Sequence, residues 1–213
     1  MDELELLKKD WQKQDKNYPK LSYDDIYKMI LKKSSSIVKW IFIISIIEFV
    51  FWSFISVAFR DTESMKHFRE LHGENILVPI AIIGFGILIY FFIAFFKNYK
   101  RISVTDSAKA LMENILKTRR TVKQYVAFNI IYLIVCFIAA LFIEFDKNQE
   151  LNDHLSQASA NGEIFKFYAI FFATVFIALV LLIGVFLLFY WLVYGILLKG
   201  LNRNYKELKK LEI

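Results

Sequence analysis

Four long apolar blocks alternate with charged segments along the chain: Val38–Phe59, Ile76–Phe96, Val122–Ile143 and Phe165–Leu198. About 20 apolar residues in helical form cross a hydrocarbon core roughly 30 Å thick, so each block predicts a transmembrane helix. The fourth is 34 residues long, about 51 Å as a helix, and too long for a straight span. Its "FYWLVY" run, Phe189–Tyr194, reads as an aromatic belt at the inner interface, from which the helix continues into the tail. The remaining segments divide into an N-terminal portion (1–37), a central loop (97–121), a tail (199–213) and two short loops (60–75 and 144–164).

The polar portions carry patterns of their own. Residues 2–17 read as an amphipathic helix with Leu4, Leu7 and Trp11 on one stripe, and Pro19 stops it. Ser22 followed three residues later by Asp25 predicts a capping box and a helix that starts near Tyr23 and runs into the first span. In the tail, Leu197, Leu201, Tyr205, Leu208 and Leu211 form a stripe opposite lysines. That stripe is read as packing on the other helices rather than lying on the inner leaflet.

The same arrangement occurs twice. "SAKALMENILK" (Ser107–Lys117) lies under "SYDDIYKMILK" (Ser22–Lys32) without a gap, and "RNYKEL" (Arg203–Leu208) matches "KNYKRI" (Lys97–Ile102). Each half reads helix, span, loop, span, basic exit, which predicts an internal duplication in parallel orientation.

Charge sets the expected orientation. Twenty-two of the 27 Lys and Arg residues lie in residues 1–40, 97–123 and 199–213, against five (Arg60, Lys66, Arg69, Lys147, Lys166) on the other side. The positive-inside rule then puts both termini and the central loop in the cytosol. The pI near 9.2 is a consequence of this topology, and no nucleic-acid partner is expected. No short apolar stretch with a cleavage site precedes the first block, so that block is expected to act as an uncleaved anchor. Only two Pro and seven Gly are present, so neither broken helices nor flexible linkers are advertised. Cys136 is the sole cysteine and excludes an intrachain disulfide. The predicted fold is thus an all-α membrane protein of four transmembrane helices, N-in and C-in, built as a duplicated helical hairpin with amphipathic cytosolic helices.

Candidate chemistry is sparse. Glu48 interrupts the first block ten residues in from Val38, about 15 Å along a helix and near the bilayer centre by that count. A carboxylate there costs about 2.5 kcal/mol or more, so it should meet a partner or water, or be protonated. Asn129 and Tyr132 share one face of the third block, and Tyr132 falls opposite Glu48 when the halves are paired at an offset of 84. These three form the expected intramembrane polar cluster, with Trp52 one turn beyond Glu48 as a shield. Glu48 is read as a protonated, hydrogen-bonded staple between spans. A proton relay or a ligand-gripping acid is the functional alternative, but no second deep acid and no intramembrane Lys, Arg or His continues a relay.

His67, His72 and His154 all belong to the short loops, and "HFRELH" spaces two of them five apart, off a single helical face. The run "GFG" at Gly84–Gly86 sits inside a span and eases packing rather than binding phosphate. No Gly-x-Ser-x-Gly nucleophile motif occurs. No catalytic residue, metal or cofactor is therefore expected.

The N-terminal "ELELLKKDWQKQD" followed by "SYDDIYKMILKKSSSIVKWIFIISIIEFVFW" resembles the start of a group of uncharacterised four-span inner-membrane proteins of the Bacteroidetes, especially flavobacteria. Some of these carry the predicted name beta-carotene 15,15'-monooxygenase. The resemblance covers the N-terminal third and the layout of the rest, and implies an inner-membrane location. The catalytic name does not carry over, because no intramembrane histidine stands here to bind iron. A looser similarity of arrangement is to membrane-anchored anti-sigma proteins. The leading expectation is a non-enzymatic inner-membrane protein that docks a cytosolic partner through residues 1–33, with Leu4, Leu7 and Trp11 as the candidate contacts, and through the 106–117 helix; its concrete version is a regulatory, anti-sigma-like role, and a homo-oligomer is the other expected assembly. A transport or lipid-handling protein using Glu48 is the alternative, and a carotenoid-cleaving oxygenase the remote one.

Overall fold

The structure, a computed structural model, describes residues 22–105 and 107–211, and among these it is helical with no strand. The elements are α1 (Tyr23–Ala58), α2 (Glu63–Glu70), α3 (Glu74–Ser103), α4 (Ala108–Lys147), α5 (Gln149–Ala160), α6 (Ile164–Tyr190) and α7 (Ile196–Leu211). A five-residue π-helical turn, Trp191–Gly195, joins α6 to α7 in one continuous rod. Among the described residues, α1, α3, α4 and the α6–α7 rod are long and apolar enough to cross a membrane. The chain is a multi-pass membrane protein by that measure. The expected N-terminal stripe of Leu4, Leu7 and Trp11 lies outside the described residues.

The helices begin where local chemistry starts them. The Ser22 hydroxyl oxygen accepts the Asp25 N–H at 3.2 Å, and the Asp25 carboxylate accepts the Ser22 hydroxyl at 2.7 Å and its N–H at 3.3 Å. This capping box satisfies orphan donors at the start of α1, and the Ser22 donors hold the Asp25 carboxyl below its usual range. Ser107 caps α4 in the matching way, accepting the Ala110 N–H at 3.3 Å. The two short loop helices also end alike. After α2, His72 adopts φ 53° while Gly73 N–H bonds Phe68 C=O; after α5, Gly162 adopts φ 73° while Glu163 N–H bonds Ala158 C=O. Both are Schellman closures, which need a left-handed residue just past the helix.

The rods form a ring in which α1 contacts α3 and α7, α3 contacts α4, and α4 contacts α6 and α7. The core sits at the end carrying the helix starts of α1 and α4 and the charged ends of α3 and α7, the basic end. On α1 the buried stripe is Ile30, Ser34, Val38, Ile41, Ser45 and Glu48, and on α4 it is Ala108, Leu111, Ile115, Thr118, Val122 and Tyr125. Steps of three and four residues are the seam of a left-handed coiled coil. Phe95 and Ile102 of α3 and Leu201 and Leu208 of α7 complete the core, all fully buried. The tail stripe therefore packs on the bundle. Leu111 and Ile115 do the same, so the face of the 108–117 helix that they occupy is covered and not open to a partner.

Two asparagines lock neighbouring rods. Asn204 Nδ2 donates to Ser34 Oγ at 2.9 Å, tying α7 to α1, and Asn98 Nδ2 donates to Thr121 Oγ1 at 3.1 Å, tying α3 to α4. Beyond Glu48, toward the loop end, few residues are buried, and large apolar side chains such as Phe54, Ile82, Phe142, Phe176 and Leu181 face outward. That is the surface a lipid bilayer covers.

Candidate functional site

Glu48 is only 6 % exposed and is the sole carboxylate in the buried core of the described residues. Three tyrosine hydroxyls converge on it. Tyr190 donates to Oε1 at 2.7 Å, while Tyr125 and Tyr194 each donate to Oε2 at 3.0 Å. One side chain of α1 is thereby tied to α4, to the last residue of α6 and to the π-helical turn itself. Two carboxylate oxygens offer about four acceptor positions, so all three donors are accommodated with one position left on Oε1.

The surroundings hold the hydroxyls in place. The Tyr125 ring meets Phe91 and Phe95 edge-on at 5.5 and 5.4 Å between centroids, and it lies 5.7 Å from the Tyr194 ring. Edge-to-face contacts of this kind fix ring orientation as well as adding attraction. The widening of the helix at Trp191–Gly195 starts directly after Tyr190 and includes Tyr194, and such turns are often found at functional sites.

Two sequence expectations are corrected by this geometry. Asn129 and Tyr132 do not bond Glu48. Asn129 Nδ2 donates to its own helix, to Tyr125 C=O at 2.9 Å. The Tyr132 ring instead covers Gly84, where an added Cβ would lie 2.5 Å from ring carbon Cε2. The offset pairing that put Tyr132 opposite Glu48 matched positions in sequence, but α3 stands beside Tyr132. Secondly, the aromatic run Phe189–Tyr194 is not a uniform belt. Tyr190 and Tyr194 are buried on Glu48, whereas Trp191 and Leu192 face outward.

Glu48 bonds Tyr125, which stands two residues past the exposed Lys123. The carboxylate thus lies toward the basic end of the bundle, level with the last residue of the α4 buried stripe, Tyr125.

On the loop side of Glu48 opens a cavity of about 500 Å³ between the rods. Glu48, Tyr125 and Tyr190 form its floor, and Phe49, Trp52, Phe85, Leu133, Phe137, Leu182 and Phe186 its apolar walls. Asn129, Tyr132, Cys136, Ser53 and Ser56 add polar points along the walls. Trp52 stacks on Phe186 at 5.3 Å and closes the wall between α1 and α6. Sequence reasoning thus placed Glu48, Asn129 and Tyr132 around one space, while missing Tyr125, Tyr190 and Tyr194 as the bonding partners. Tyrosines spaced four apart in a Phe/Leu-rich span were the available signal.

A protein family described as a domain of unknown function (DUF8845) matches residues 24–213. The chain belongs to the DUF8845 family. The match includes Glu48, its three tyrosines and the whole cavity, and Leu4, Leu7 and Trp11 precede it. No curated protein and no solved structure matches the chain.

The histidines lie apart from this site. His67 Nε2 stands 3.8 Å from Glu144 and 3.4 Å from Asn148 Nδ2, linking the two loops. Among the described residues no three of His, Cys, Asp and Glu come together as a metal-binding group.

Proposed function

We propose that this is a non-enzymatic lipid-handling protein that holds an amphipathic molecule in the cavity above Glu48. The observation that carries the reading is an apolar space of about 500 Å³ ending on a carboxylate with an acceptor position to spare. Its volume lies within the roughly 300–1,000 Å³ of small-molecule sites, and apolar walls with a few polar points are their usual lining. The ligand's polar head would be a hydroxyl or amine that donates to Glu48, and its body an acyl or isoprenoid chain along Phe137 and Leu182. The test is extraction of the full chain, purified in mild detergent, with mass spectrometry of the co-purified molecules. One species enriched over bulk lipid, and lost in Leu133→Trp, supports the reading. Identical profiles for the wild type and Leu133→Trp, both matching bulk lipid, would sink it.

Placement in a bacterial inner membrane with both termini cytosolic rests on the distribution of Lys and Arg and on the sequence resemblance. Cysteines introduced in a Cys136→Ser background test it. Ser159→Cys should react with an impermeant maleimide on intact cells, and Lys206→Cys only after permeabilisation; the reverse would invert the topology.

We also infer that the two halves are duplicates. Buried positions support the pairing: Ile30 with Ile115 at the offset of 85 that sets Ser107 under Ser22, then Ser34 with Thr118 and Val38 with Val122 at 84, one residue out of that register, and Phe95 with Leu201, Asn98 with Asn204 and Ile102 with Leu208 at an offset of 106. The matching serine caps and Schellman closures point the same way. Docking of a cytosolic partner through Leu4, Leu7 and Trp11 rests on sequence pattern alone. A pull-down from native membranes, with and without residues 1–20, tests it.

A further inference from the structure

A second feature lies on the outer surface of the bundle, between α1 and α3 at the basic end. Phe42 of α1 and Phe96 of α3 meet with ring centroids 5.9 Å apart, and with Phe92 they form an apolar groove. The groove has a volume of about 720 Å³ and ends on Lys97, Lys100 and Arg101. These three cations fall at i, i+3 and i+4, so they share one helical face. All are exposed, and none pairs with a carboxylate among the described residues.

The matching run in the second half sharpens the point. "KNYKRI" aligns with "RNYKEL", so Lys97, Lys100 and Arg101 correspond to Arg203, Lys206 and Glu207. There the third position is acidic, and Arg203 Nε stands 3.8 Å from Glu207 Oε1. The charge is compensated internally on one half and left uncompensated on the other, where an apolar groove leads up to it.

We propose that this groove is a binding site for an anionic phospholipid of the leaflet at the basic end. The headgroup phosphate would sit among Lys97, Lys100 and Arg101, with Arg101 able to take two phosphate oxygens at once. An acyl chain would lie over Phe42, Phe92 and Phe96. Cationic pockets between spans favour anionic headgroups over zwitterionic ones for this reason.

Native mass spectrometry of the full chain in mild detergent tests the site, with dioleoyl phosphatidylglycerol and dioleoyl phosphatidylcholine as the added lipids. The wild type should retain the anionic lipid with a preference of roughly tenfold or more. Lys97→Gln/Lys100→Gln/Arg101→Gln should abolish that preference, and Arg101→Gln alone should reduce it. Lys206→Gln/Lys209→Gln/Lys210→Gln, which removes the same charge from the tail, should keep it. Circular dichroism of each variant establishes that it is folded. An unchanged preference in the groove variant, or equal loss in both triple variants, would overturn the assignment, the second outcome showing only diffuse attraction to the basic end.

Discussion

The Tyr190 hydroxyl meets Glu48 Oε1 at 2.7 Å, joining residues 142 positions apart in the chain. No other hydroxyl bonds that oxygen among the described residues, whereas Oε2 takes both Tyr125 and Tyr194. The inequality makes the three tyrosines distinguishable by experiment. Tyr190→Phe should cost the most, about 1–3 kcal/mol, because it leaves buried Oε1 with no hydroxyl donor. Tyr125→Phe and Tyr194→Phe should each cost about 1 kcal/mol, because Oε2 keeps one donor. Thermal unfolding of the single variants in one detergent measures the order, and equal losses would argue against the asymmetry.

Glu48→Ala removes the acceptor for three buried hydroxyls. A loss of about 3 kcal/mol or more is expected, since an unsatisfied buried donor costs about 1–3 kcal/mol. Glu48→Gln retains one carbonyl oxygen and should lose less. If Glu48→Ala melts with the wild type, the carboxylate does not hold the rods together.

Gly84 is needed because the Tyr132 ring lies where a side chain would go. Gly84→Val should destabilise by about 1–3 kcal/mol through overpacking. Tyr132→Ala in the same chain should relieve much of that, a coupling that a double-mutant cycle reads directly. Additive losses would mean the contact is not the cause.

The loop closures predict opposite signs at two equivalent turns. Gly162→Ala forces a Cβ into φ 73° and should cost about 1 kcal/mol, whereas His72→Gly, at φ 53°, should stabilise by up to about 1 kcal/mol. Differential unfolding of the two variants checks the pair.

Asp25 adds a pH dependence at the start of α1. The bonds from Ser22 lower its folded-state pKa. Its contribution is therefore present above the ordinary carboxylate pKa and is lost as pH falls through the lowered folded value. Hydrogen exchange of the Tyr23–Ile26 amides should quicken in acid relative to amides deep in α1, and Asp25→Asn should remove that step. A pH-independent ratio would exclude the capping role.

What was legible in the sequence follows from short-range physics. Apolar block length specified four membrane helices, and Ser22 with Asp25 specified where the first begins, because span length and capping are local. The steps of three and four through Leu201 and Leu208 marked a packing face in the same way. Even the lone acid could be singled out, since a carboxylate in lipid requires a partner. Which partner was decided by tertiary structure alone. Tyr125 and Tyr132 sit on one helix, two turns apart, and only the relative depth of α1 against α4 puts the first on Glu48 and turns the second toward Gly84. That depth comes from the packing of the basic-end core. No local rule encodes it, because the stagger between rods depends on how all four seams interlock at once.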